Sequence, residues 1–107
     1  MALLNLRLED VVVGSTWRGL PEIDIDPDIT SDLVEVYITF RESEWSDVVL
    51  TLDHTDGVNI SDPVNNVFDT PSRVLPLRAG TWLFQVLHVF ADGTRYVKVE
   101  GVQRLLP

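Results

Sequence analysis

Apolar and polar residues alternate with a period of two over several short stretches of this chain, and the longest stretch predicts a β-hairpin. In the run from Leu75 to Val102, LPLRAGTWLFQVLHVFADGTRYVKVEGV, the residues Trp82, Phe84, Val86, His88 and Phe90 share one parity. Leu83, Gln85, Leu87 and Val89 take the other, as in a strand whose side chains point alternately to its two faces. Beyond Asp92-Gly93, Val97, Val99 and Gly101 alternate with Tyr96, Lys98 and Glu100. Asp-Gly favours tight hairpins because glycine adopts the positive φ that such turns need. A two-residue loop there sets Val99 opposite Val86 and Gly101 opposite Phe84. A large ring then faces a residue with no side chain, which pins the register.

The same alternation recurs upstream. Val34, Val36, Ile38 and Phe40 lie on one face and Glu35, Tyr37, Thr39 and Arg41 on the other, which predicts a half-buried strand. After the polar loop ESEWS, Val48, Leu50 and Leu52 alternate with Asp47, Thr51 and Asp53, a second strand hairpinned to the first. Val49 is the apolar exception on its outer face. Shorter extended pieces are expected at Val58–Ile60 and near Val67-Phe68, separated by the turn-formers TDG, SDP and DTPS. Earlier strands are expected within Leu8–Val13 and Trp17–Ile25, with bends at Gly14 or Pro21. No stretch carries a capped helical stripe. Short strands with Gly, Pro, Asn and Asp between them predict an all-β fold, an antiparallel β-sandwich of immunoglobulin-like type with seven to eight strands in two sheets. No internal repeat or low-complexity linker divides the chain, so residues 1–107 are read as a single domain. The leucine-rich leader, Leu3, Leu4, Leu6 and Leu8, is either the first strand of the domain's own sheet or an arm, residues 1–7, laid across a neighbouring subunit.

Composition narrows the chemistry. A length of 107 residues suits one core. The absence of cysteine excludes disulfides, thiolate metal sites and a cysteine nucleophile. The first ten residues do not have the pattern of a secretory leader, and no apolar run reaches membrane-spanning length, so a soluble chain made in a cytoplasm, with no membrane partner, is expected. The net charge of -9 argues against a nucleic-acid partner, because phosphate binding relies on Lys and Arg. The charge is also uneven: residues 22–69 hold 13 acids and a single base, Arg41, whereas residues 70–107 hold 5 bases and 2 acids. Such a division reads either as a solubilising face or as complementary surfaces on neighbouring copies.

Residues able to carry catalysis are sparse. His88 falls on the aromatic parity of its strand and reads as a core residue, while His54 adjoins Asp53 and Asp56 with no serine on a nucleophile elbow. Asp24, Asp26, Asp28 and Glu35 imitate the spacing of a calcium loop. Ile29 occupies the place where that loop needs glycine, Pro27 stiffens the middle, and strands flank it where helices are required. An acidic connection is the simpler reading. Gly14 and Gly19 lack the lysine and helix start of a phosphate loop. No enzyme activity and no cofactor are therefore expected. Interface residues are better represented. Trp45 lies in the polar segment RESEWSD, either as a partner contact or folded back over the end of the sandwich. Trp17, Arg18, Leu3, Leu4 and Leu6 complete the candidates.

Four segments taken together, VVVGSTWRGL, DLVEVYITFRESEWSDVVLTL, DGVNI and the Leu75–Val102 run, resemble a group of small β-sandwich domains of tailed bacteriophages and prophages, similar to the amino-terminal domain of phage baseplate upper proteins. The matching positions are Gly14, Thr16 and Trp17; Leu50 to Leu52; Leu77, Gly80 and Trp82; Asp92-Gly93; and Glu100, Gly101 and Val102. The resemblance implies a virion structural protein, present in several copies and contacting itself and other virion proteins. The longer members carry a fibre-forming or receptor-binding extension, whereas this chain stops at Pro107, so an adaptor or decoration role is expected, with a tail, baseplate or fibre-base adaptor as the first reading. A capsid decoration or head-spike base protein is the alternative. A carbohydrate-binding module, with Trp17 and Trp45 as a sugar platform, is the alternative from another class.

Overall fold

Alternating apolar residues build one large sheet and a small one, with the core between them. The computed structural model describes residues 4–21 and 31–107, and among these all regular structure is β. The strands are β1 (Leu4–Arg7), β2 (Val11–Val12), β3 (Leu33–Arg41), β4 (Leu50–Leu52), β5 (Asn59–Asp62), β6 (Val67–Asp69), β7 (Gly80–Phe90) and β8 (Arg95–Leu106). The large sheet runs β1-β8-β7-β3-β4, with β2 continuing the β1 edge alongside the end of β8. β5 and β6 form a separate antiparallel pair. Eight strands in two layers satisfy the β-sandwich expectation. Pairing departs from it at one edge, because β1 and β2 both run parallel to β8 where an antiparallel sheet was expected.

The inner face carries Val36, Ile38 and Phe40 from β3, Trp82, Phe84, Val86, His88 and Phe90 from β7, and Val99 and Leu105 from β8, all buried. Opposite them the small pair and the connecting segments supply Trp17, Leu20, Val58, Phe68, Leu75 and Leu77. Edge-to-face contacts, Trp17 on Phe40 at 6.0 Å and Phe68 on His88 at 5.6 Å, join the two layers. This geometry suits the ring quadrupoles.

The long hairpin has the expected pairs by a different route. Val86 faces Val99 and Phe84 faces Gly101. However, Phe90 N–H donates to the Thr94 carbonyl, and the Gly93 N–H donates to the Phe90 carbonyl, so the loop has three residues, Ala91, Asp92 and Gly93. A bulge at Lys98 then restores the register, since Leu87 faces Val97 and Val86 faces Val99. Consequently Tyr96 comes to the inner side opposite His88 and stacks edge-on against Phe90, whereas Val97 turns outward. A second bulge acts on β3. Leu33 faces Phe90 and Glu35 faces Val89, so Leu33 fills the buried place expected for Val34, which is exposed. Val48 likewise stays outside the sheet, which β4 joins only at Leu50.

Gly101 is held between two neighbours. A Cβ there would lie 2.0 Å from the Leu6 carbonyl oxygen and 2.8 Å from the Phe84 ring. The close approach of β1 over β8 therefore depends on glycine.

Candidate interaction surface

The β3–β4 connection presents Trp45 by its turn geometry. Ser46 N–H donates to the Ser43 carbonyl at 3.1 Å, and the two serine hydroxyls are 2.7 Å apart. Glu44 and Trp45 occupy the two central positions of that turn; the Trp45 side chain stands in solvent, whereas Glu44 borders a concavity on the outer face of the sheet beside Arg41 and Leu83. Below it, Val49 N–H donates to the Phe40 carbonyl at 2.8 Å and closes the loop on β3. Trp45 is 92% exposed, with Val48 and Val49 also exposed beside it. It does not fold back over the sandwich end. Glu42, Glu44 and Asp47 surround the indole in sequence, and Glu42 is paired with Arg78.

Trp17 has the opposite fate. It is buried, its indole Nε1 donates to Gln103 Oε1 at 2.9 Å, and it therefore belongs to no exposed sugar platform. The Gln103 amide is fully employed, donating from Nε2 to the carbonyls of Glu9 and Arg104 at 3.0 Å each. This buried amide ties the loop before Trp17, the β1–β2 connection and β8 together. Its inner parity on β8, with Val99, Gly101 and Leu105, was the sequence signal that could have marked it. Gly19, at φ +85°, lets the next turn press on Thr70, whose Oγ1 accepts from Leu20 N–H at 2.6 Å.

These contacts form the floor of an open groove of about 690 Å³ along the β1–β2 edge. Leu8, Val11, Val12, Leu20 and Pro21 supply apolar walls, and exposed Arg7 and Arg18 stand at the rim. Sequence reasoning named Arg18 but not the groove, which needs the parallel β1–β8 pairing to exist. Leu4 and Leu6 sit in β1 within the chain's own sheet; Leu4 is 47% exposed and Leu6 packs against the core. A smaller concavity of about 330 Å³ lies on the outer face, lined by Asn5, Arg41, Leu83, Gln85, Glu100 and Val102 among others.

The remaining candidates are dispersed. Leu3, Asp24, Asp26 and Asp28 lie outside the described residues. Glu35 accepts a 2.6 Å hydrogen bond from the Tyr37 hydroxyl, which raises the Tyr37 pKa. Among the described residues no three metal-ligating side chains come together. His88 is fully buried against Phe68, and His54 is exposed. Asp53 does not orient His54, because its Oδ1 accepts from both the N–H and the hydroxyl of Thr55. Asp92 does the same with Thr94, whereas Asp62 accepts from the Asn65 N–H on Oδ1 and from the Asn65 side-chain amide on Oδ2. These hydrogen bonds hold all three carboxyls below their ordinary pKa.

No protein-family model, no curated protein and no solved structure matches this chain.

Proposed function

We propose that this chain is a non-catalytic structural protein of a tailed-bacteriophage virion, a tail, baseplate or fibre-base adaptor that assembles in multiple copies with other virion proteins. The observation that carries the assembly part is Trp45, displayed at 92% exposure on a hydrogen-bonded turn. Trp is enriched at interface hot spots, and Val48 and Val49 of the same connection are exposed with it. The virion part rests on the resemblance of the four sequence segments. A sugar platform is the weaker reading, since the burial of Trp17 removes the second aromatic it was to use.

Gold-labelled antibody imaging of particles from the source phage or induced prophage tests the reading. Label at the tail end is the expected result, and label on the head would move the protein to capsid decoration. Particles that stay bare while the lysate contains the protein would overturn the virion assignment.

A further inference from the structure

We infer that copies of this chain join head to tail, the Trp45 turn of one copy seating in the groove along the β1–β2 edge of the next. The inference deepens the assembly reading and rests on its premise that Trp45 is a contact, but not on the virion location.

Strand order places the two features on opposite edges of one sheet. The Trp45 turn joins β3 to β4, while the groove borders β1 and β2. They also share one end of it, since Arg41 faces Leu83, Leu83 faces Val102, and Val11 and Val12 face Leu105 and Leu106. A neighbour displaced sideways along the sheet therefore brings knob and groove to the same level. The groove, at about 690 Å³, falls in the size range that encloses small organic ligands and accommodates an indole with a flanking valine.

Charge favours this pairing over the symmetric one. Two Trp45 turns meeting each other would oppose Glu44 and Asp47 to the same acids. At the groove they meet Arg7 and Arg18. Glu9 and Asp10 share that rim, with Asp10 3.9 Å from Arg104, so the acidic turn is steered toward the arginine side. Because the two patches differ, each copy keeps one free knob and one free groove. Such heterologous contacts close into rings or extend into chains, as the angle between copies dictates.

Analytical ultracentrifugation of the wild type, Trp45→Ala, Val12→Glu and their mixture is the test. Wild type should self-associate, and Trp45→Ala should weaken association at least about thirtyfold, the loss of one hot spot. Val12→Glu places a carboxylate in the groove wall and should abolish association too; Arg18→Glu, at an exposed loop position, repeats the test without touching a strand. Each single variant retains the half that the other lacks, so mixing Trp45→Ala with Val12→Glu should give a dimer that grows no further. A wild type that stays monomeric, an associating Trp45→Ala variant or a mixture with no dimer would each overturn the inference. Rings in solution with bare particles would instead remove only the virion assignment, and labelled particles with a monomeric chain would remove only the head-to-tail contact.

Discussion

Single residues in this chain act mainly by occupying too little or too much space, or by fixing a turn. Gly101 is the sharpest case, because a methyl group there would meet a backbone carbonyl at 2.0 Å and no rotamer change can relieve it. Gly101→Ala should cost about 3 kcal/mol through displacement of β1, measured by urea denaturation, whereas unchanged stability would mean that β1 does not close over β8. The Phe84–Gly101 pair was legible in the sequence, as both partners lie in one hairpin. The Leu6 carbonyl was not, since nothing local announces a parallel partner from the far end of the chain. Trp45 and Trp17 divide in the same way. A polar turn context left the first open between a partner contact and a cap on the sandwich end, and the structure shows it exposed, while the burial of the second depends on Gln103, 86 residues away. The aspartates at the turns make a pH prediction. Their folded pKa values lie below the unfolded ones, so their stabilisation is present above the unfolded carboxylate range and is lost as pH falls through the folded values. Melting temperature should therefore drop below about pH 4. The combined Asp53→Asn, Asp62→Asn and Asp92→Asn variant keeps an acceptor oxygen at each turn and should show a shallower acid slope; an identical slope would assign acid loss to other carboxyls.

At the scale of elements, the β7–β8 hairpin shows how a register can be right when its loop is wrong. Asp-Gly suggested two loop residues, but Asp92 instead closes a three-residue loop by accepting from Thr94, and the bulge at Lys98 compensates for the extra residue. Periodicity reports which residues share a face over a few positions; it does not report where one residue has been inserted. Tyr96 and Val97 were consequently assigned to each other's faces, and the β3 bulge similarly exchanged Leu33 and Val34. Removing Lys98 should leave a regular hairpin in which Val86–Val99, Leu87–Val97 and His88–Tyr96 all persist. The deletion variant is expected to fold within about 1 kcal/mol of wild type, because the pairs on both sides of the bulge are kept. Deleting Glu100 offers the contrast, because closing the gap through the same bulge pairs Val99 with outward-facing Gln85 and sets Lys98 opposite buried Val86. Calorimetry on both deletions decides the matter: comparable melting of the two would show that the bulge does not set the register.

Over the whole molecule, the relevant asymmetry lies between the sheet's two edges. One bears the acidic turn with its exposed indole, and the other bears an apolar groove with arginines at its rim. The sequence disclosed the acidic middle, but the arginines at the groove, Arg7 and Arg18, come from the charge-balanced first 21 residues, and only folding sets them on the edge opposite the Trp45 turn. An exposed indole flanked by acids brings two forces with different responses to salt. Charge steering decays as the Debye length shrinks to about 3 Å at 1 M ionic strength, while burial of the indole persists. Raising salt should therefore slow association of the copies substantially and weaken their affinity only a few-fold, with most of the effect in the on-rate. Tryptophan emission can follow this, because Trp17 and Trp82 are buried and Trp45 alone of the three faces water. Acrylamide quenching should be strong in dilute protein, fall as concentration rises, and fall again to nearly the same plateau at high salt. Quenching independent of concentration would mean that the indole stays in water and that the two edges do not meet through it.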